Sequence, residues 1–216
     1  LVVDPQCGFT AFCYPGSLPG HTFGLSARGL VQAVNNLRLR GVAPLVPRMI
    51  AGRALLECPT LDAALQTIRD NCSGGGFHVT LAQVGDPRLL SVEFGAGVTA
   101  VTEVQGPAGH ANHALTTALA GAQIVTPSSR DRQSRVEMLL RDRPGRPEEM
   151  LRDTGGPGLP IHRSRPDDPD QENTLATAVF TIVNQEVHFR MYDSSGAAPV
   201  HEFTRDVTRE LTPAIS

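Results

Sequence analysis

Three short clusters carry residue types able to do chemistry. His110-Ala111-Asn112-His113 follows a Gly-Pro-Ala-Gly turn. Two imidazoles flanking an amide could ligate a metal, but the spacing fits no zinc signature and no third ligand lies nearby in sequence. Two other readings stand beside that one: histidines bonded to nearby backbone, or Asn112 as a fixed amide donor beside a reacting carbonyl, an oxyanion-hole device. Asn35-Asn36 ends an otherwise apolar run, Leu30 to Leu37. Asparagine is disfavoured inside strands, so the pair marks either an Asx turn or an amide aimed into a site at the strand end. Ser128-Ser129-Arg130 opens a helical stretch. Its serines either cap the helix or, with the arginine, form a seat for an anion or carboxylate. The arginines that follow (Arg132, Arg135, Arg141, Arg143) read as a solvated face balanced by Asp131, Glu137 and Asp142.

Composition narrows the classes that can use these clusters. The 216 residues are 40% hydrophobic and 19% charged, which suits a folded, soluble single domain. A formal charge of -3 gives no reason to expect nucleic acid or an anionic membrane as partner. No stretch approaches the roughly 18 apolar residues of a membrane span, and no signal peptide is read at the start. All 19 basic residues are arginine, so no side-chain amine can serve as Schiff-base nucleophile or general base. Tryptophan is absent and aromatics reach 5%, which disfavours an aromatic sugar or single-strand groove. Cys7, Cys13, Cys58 and Cys72 show no CxxC spacing, so free thiols in a reducing cytoplasm are expected.

The elements that must position the clusters are legible as pattern. Leu1–Val3, Phe9–Phe12, Thr22–Leu25 and Leu30–Leu37 read as strands separated by turn signals, with Pro44 and Pro47 breaking the loop that follows. A helical face runs from Pro47 to about Cys58. Thr60 then caps a helix over 61–69 whose apolar face is Leu61, Leu65 and Ile68. Phe77–Val84, Leu89–Phe94 and Val98–Val104 read as strands. Helices are expected from Ser128 to Leu140 and from Pro147 to Leu151, the first beginning with a serine cap. Residues 153–173 form a long Gly/Pro/Asp-rich loop, of a length often used functionally. Thr174–Val183 and Glu186–Tyr192 make a hairpin, and the tail holds one more short strand at best. Strands in groups with helices between them point to an α+β layered domain.

Read in order, FCYPGSLPGHTFGLSARGLVQAVNNL (12–37), HANHAL (110–115), SSRDRQSR (128–135) and NTLATAVFTI (173–182) resemble the acyl-coenzyme A:6-aminopenicillanic acid acyltransferase family. These penicillin acyltransferase-like proteins are autoproteolytic N-terminal-nucleophile hydrolases, a class that includes the choloylglycine hydrolases. The resemblance implies one domain over 1–216, a four-layer αββα sandwich of two antiparallel sheets. It also implies acyl transfer or amide hydrolysis through an N-terminal cysteine whose own α-amine acts as base. Asn112 of the H-x-N-H motif and Asn36 at the strand end, with Asn35 as neighbouring candidate, match the family's oxyanion and site amides. His110, Ser128, Ser129 and Arg130 are the candidate substrate-binding residues, and no metal is expected. The donor is an amide or a thioester, coenzyme A among the latter. The acceptor is an amine or water, and a homo-oligomer is compatible.

The family's nucleophile and its downstream aspartate have no match in this chain. The first residue is Leu1, no Asp or Glu lies between Asp4 and Glu57, and Cys13 sits where the family does not place its nucleophile. The expectation is a nucleophile segment supplied from outside these residues, upstream or as a companion fragment. The alternative is a catalytically inactive binding homologue on the same fold.

Overall fold

Two antiparallel sheets organise the chain. The computed structural model describes residues 2–4, 8–43, 45–142, 145–165, 171–196 and 198–207; Leu1, Cys7, Pro44 and Arg143 lie outside them, as do 166–170 of the long loop. The large sheet takes its seven strands in chain order: β1 (Val2–Asp4), β2 (Phe9–Ala11), β3 (Phe23–Ser26), β4 (Leu30–Leu37), β5 (Gly76–Gln83), β6 (Leu90–Gly95) and β7 (Val98–Glu103). The small sheet is β8 (Ala176–Val183), β9 (Glu186–Asp193) and β10 (His201–Asp206), with β9 in the middle. The final strand is six residues long and pairs with β9 along its whole length. It is a full sheet member, although its polar residues gave a weak strand pattern.

Helices α1 (Arg48–Leu55) and α2 (Leu61–Asp70) cover one face of the large sheet. The Thr60 hydroxyl accepts the Ala63 N–H at 3.1 Å, so α2 starts where the cap rule places it. Its buried face, Leu61, Ala64, Leu65 and Ile68, packs on Phe77, Val79, Leu81, Val92 and Phe94 of β5 and β6. The opposite face of β3 and β4 meets the small sheet: Leu25 and Val31 pack with Val187, Phe180, Ile182 and Phe203. Phe23 sits between the sheets, edge-on to Phe180 at 6.2 Å and tilted against Phe189 at 6.3 Å. Covering on both sides, by the helices on one and the small sheet on the other, explains why Leu30, Val31 and Gln32 are all buried where alternation alone predicts a half-exposed strand. On the outward side of the small sheet, α4 (Pro147–Met150) brings Glu148 to Arg190, and Arg152 lies over the Tyr192 ring. Among the described residues no helix is long and apolar enough to cross a membrane.

The helix α3 (Pro127–Asp142) begins one residue earlier than the pattern suggests, and Ser128 does not cap it. Thr126 Oγ1 accepts the Ser129 N–H at 3.2 Å instead. The long loop after α4 is fastened to α3 rather than loose. Arg135 holds Asp153 through Nε at 2.6 Å and Nη2 at 2.7 Å, Asp131 accepts from Leu159 N, and buried Arg163 reaches Ser128 Oγ at 3.1 Å.

One close crossing sets the loop before β3 against α1. Gln32, fully buried in β4, donates from Nε2 to Gly20 O at 2.9 Å and to Gly52 O at 3.0 Å. A Cβ at Gly20 would lie 2.6 Å from Gly52 O, and Gly20 has φ +94°, a conformation side chains adopt only under strain. Gly20→Ala is therefore expected to cost about 2 kcal/mol or more, lowering the thermal midpoint by about 4 °C or more. A thermal melt at the wild-type midpoint would show that the crossing has slack.

Candidate functional site

The site forms where β4 ends. Antiparallel register puts Asn35, His78, Glu93 and Ala100 in one row across β4, β5, β6 and β7. Asn36 falls in the next row, opposite Phe77. Because side chains alternate across a strand, the two asparagines leave β4 on opposite faces. The Asn35 row is polar because an irregular segment, not the small sheet, lies over it.

That segment is 107–116, and its backbone has no strand or helix partner. Its amides are taken one by one by side chains. Ala111 N donates to Gln133 Oε1 at 2.8 Å, Asn112 N to Ser129 Oγ at 2.8 Å and Ala114 N to Gln123 Oε1 at 2.7 Å. Leu115 N and Thr116 N donate to the two oxygens of Glu93 at 2.6 and 2.9 Å. Glu93 is 5% exposed and also receives His110 Nε2 at 2.7 Å. Burial alone would raise its pKa, but the His110 bond and the two amides outweigh it and hold the carboxylate below its ordinary range.

His110 lies flat on His78, ring centroids 3.4 Å apart and planes 5° from parallel. His110 Nδ1 faces the Ala111 carbonyl and Nε2 faces Glu93, each at 2.7 Å. Asn35 Nδ2 donates to His110 O at 2.8 Å and points at His78 Nδ1, 3.2 Å away. An amide N–H only donates, which makes His78 Nδ1 the acceptor and leaves Nε2–H for Ser91 Oγ at 3.0 Å. Burial, then the charge of His110, lowers the His78 pKa to about 3.

The remaining expected residues fall into two groups. Asn112, Asn36, Asn35 and His110 line a cleft of about 1250 Å³. Ser128 and Ser129 are buried beneath it. Ser129 Oγ also takes His113 Nδ1 at 2.7 Å, while Ser128 Oγ takes Arg132 Nε at 3.2 Å. Arg130 is exposed on α3. His110 and His113 turn to different partners, and among the described residues no group of three His, Cys, Asp or Glu is placed to hold a metal.

The three amides differ in what they are free to do. Asn35 is occupied by the histidines. Asn112 donates from Nδ2 to Asn36 O at 3.3 Å and accepts from Arg132 Nη2 at 3.0 Å. The Asn36 side chain makes no hydrogen bond among the described residues, and its Oδ1 is buried without a partner. Its Nδ2 is the uncommitted donor of the cleft. None of the described cysteines stands beside it as a free nucleophile: Cys13 Sγ donates to Ser17 O at 2.9 Å, while Cys58 and Cys72 pack with the α1–α2 core. Glu93, His78, Gln133 and Gln123 were not singled out from sequence, and Arg132, read there as part of a solvated face, instead lines the cleft and holds Asn112 Oδ1. Glu93 and His78 leave one signal there, a titratable residue in the middle of an apolar strand.

The cleft has an apolar wall. Phe23 and Phe180 from the strands and Phe12 just after β2 line it with Val136 and Leu140 of α3, together with Ile161 of the long loop and Leu175 just before β8. Residues 171–178, including the start of β8, complete one side. In the described small sheet β8 has a single neighbour, β9, so its other edge runs open beside the cleft.

A family model described as acyl-coenzyme A:6-aminopenicillanic acid acyl-transferase matches residues 1–195. No curated protein matches the chain.

The His78 ring gives this site a pH signature. Its folded pKa lies below the ordinary 6.5, so the stability tied to the neutral ring is complete above pH 6.5. That stability is lost as pH falls toward the folded value, at up to about 1.4 kcal/mol per pH unit. Glu93, also depressed, contributes its loss only below the ordinary glutamate range. Denaturant titrations at pH 7 and pH 5 should therefore show a loss in the wild type that exceeds the loss in His78→Gln by roughly 2 kcal/mol. Equal losses would mean that the buried ring accepts a proton without cost.

Proposed function

The chain belongs to the acyl-coenzyme A:6-aminopenicillanic acid acyl-transferase family, and on that footing we propose that it forms the oxyanion and substrate side of an N-terminal-nucleophile acyltransferase or amidohydrolase. The observation that carries this reading is the Asn36 amide, a donor at the end of β4 that nothing in the described protein uses. Preorganised amide donors of this kind stabilise the charge that develops on a carbonyl oxygen in the transition state. Asn112 is the second amide of the site, held on Asn36 O and Arg132 so that the donor keeps its position.

The nucleophile in this proposal is a cysteine at the N-terminus of a segment outside the described residues. An open sheet edge is a template for another strand, and the free edge of β8 lies along the cleft. The two sheets, with α1 and α2 outside one and α4 outside the other, are then read as the αββα sandwich. The thiol attacks the acyl carbonyl while the segment's own α-amine, with an ordinary pKa of about 7.7–8.0, takes the proton. Charge collects on the oxygen facing Asn36 Nδ2. The C–N or C–S bond then breaks, the α-amine returns its proton to the leaving group, and a thioester to the cysteine remains. An amine or water attacks that thioester and releases the product. Phe12, Phe23 and Phe180 suit an apolar acyl group. The donor is an amide or a coenzyme A thioester, and Arg130, exposed on α3, would be open to the phosphates of the latter.

Intact-mass analysis with N-terminal sequencing of every polypeptide in the native protein is expected to find one that begins with cysteine and gains an acyl group on incubation with an acyl thioester. Asn36→Ala should slow that acylation by about 100-fold or more without changing the polypeptides present. A native protein with no N-terminal cysteine, or an Asn36→Ala variant that acylates at the wild-type rate, would favour the non-catalytic binding homologue.

A further inference from the structure

The cleft has a direction, and α3 sets it. Arg132, Val136 and Leu140 follow one another at intervals of four residues on this helix, and all three line the cleft. Residues at that spacing stand one above another on a single helical face, so the three mark a line of about 12 Å along the helix. Arg132 fixes the polar end of the line, because its Nη2 donates to Asn112 Oδ1 at 3.0 Å. Leu140 stands at the far end. The same cleft is lined by Met150 of α4, Leu151 after it, Ile161 of the long loop and Leu175 before β8.

The fold leaves these apolar side chains largely uncovered. Val136, Leu140, Met150 and Ile161 are half-buried, while Leu151 is 42% exposed and Leu175 60%. None of the six belongs to an apolar core of the described protein. Uncovered apolar surface gathered in one cleft and rimmed by polar groups marks a ligand groove. Among the described lining residues the charged side chains are Arg132, held on Asn112, and Glu172, which faces Arg38; neither interrupts the row from Val136 to Leu140. At about 1250 Å³ the cleft also exceeds the roughly 300–1,000 Å³ of a pocket for a compact small molecule. An elongated apolar space with its amides at one end is matched by an unbranched hydrocarbon that carries its polar group at one end. An extended chain of roughly ten carbons spans the distance from Arg132 to Leu140.

We propose that the cleft takes long unbranched acyl groups, the carbonyl at the Asn36 and Asn112 amides and the chain lying along α3, and that Leu140 sets the length accepted. The inference rests on the cleft being the acyl site, but its test needs no turnover. The probes are the butanoyl, hexanoyl, octanoyl and decanoyl amides of glycinamide, uncharged molecules that differ only in chain length. Calorimetric titration of the native protein should find affinity rising about two- to fourfold with each added methylene. Leu140→Gln should leave the butanoyl and hexanoyl affinities unchanged and abolish the gain from octanoyl to decanoyl. Leu140→Ala should reduce that gain, and it keeps the test decisive if the glutamine variant unfolds. Leu45→Gln, at a leucine 61% exposed and outside the cleft lining, should leave the whole series as in the wild type. Affinity independent of chain length, no binding of any probe, or a full gain surviving in both Leu140 variants would overturn the proposal. A full gain in a protein that forms no acyl-cysteine would instead count against the catalytic reading alone.

Discussion

The site depends on one constraint: the 107–116 segment crosses the large sheet without regular structure, and each amide it buries must find an acceptor. The acceptors are four side chains drawn from three separate places. Glu93 rises from β6, Gln133 and Ser129 from α3, and Gln123 from the turn before α3. Glu93 is the most heavily used of them, with three donors on two oxygens. A carboxylate as buried as this is costly unless each lone pair is engaged, and here the costs of the carboxylate and of the irregular backbone cancel. Asn112 gains its fixed position from this arrangement, because both neighbours in its segment are held before its own side chain makes any bond.

The large sheet has two kinds of inner face, and the cleft opens at their boundary. Around β3 and β4 the face is apolar and buried by the small sheet. Around β5 and β6 it carries Asn35, His78, Ser91 and Glu93 and is buried by the irregular segment. A sheet face can be covered by another sheet only where it is apolar. The switch to polar residues therefore ends the sandwich and leaves space between β8 and α3. The aromatic residues Phe23 and Phe180 mark the apolar side of that boundary, and the stacked histidines mark the polar side.

Much of this architecture could be read from pattern. Period-two alternation located β4 to its last residue, and Thr60 announced α2 by the chemistry of its cap. The Asn35-Asn36 and His110-to-His113 clusters were visible because their residue types are wrong for an apolar strand or a plain turn. The partners of those clusters were not visible, since the bonds span 22 residues from Leu115 to Glu93 and 75 from Asn35 to His110. Nothing local distinguishes a serine that caps a helix from one that anchors a distant loop. Ser128 and Ser129 look like caps in sequence, yet they hold Arg163 and Asn112 in the fold.

Adjacent asparagines can divide the work between them only if β4 cannot slip. A shift of one residue would exchange the two faces, sending Asn36 under the histidines and Asn35 into the Phe77 row. Gln32 prevents that shift. It lies four residues before Asn36 and therefore on the same face, and its amide is fixed to the carbonyls of Gly20 and Gly52. Those two glycines approach too closely to admit a side chain, so the crossing has one geometry. The same crossing seats the loop bearing Tyr14 and His21 against the helix bearing Arg48. One buried glutamine thus fixes both the register that frees the Asn36 amide and the seat of that loop on α1.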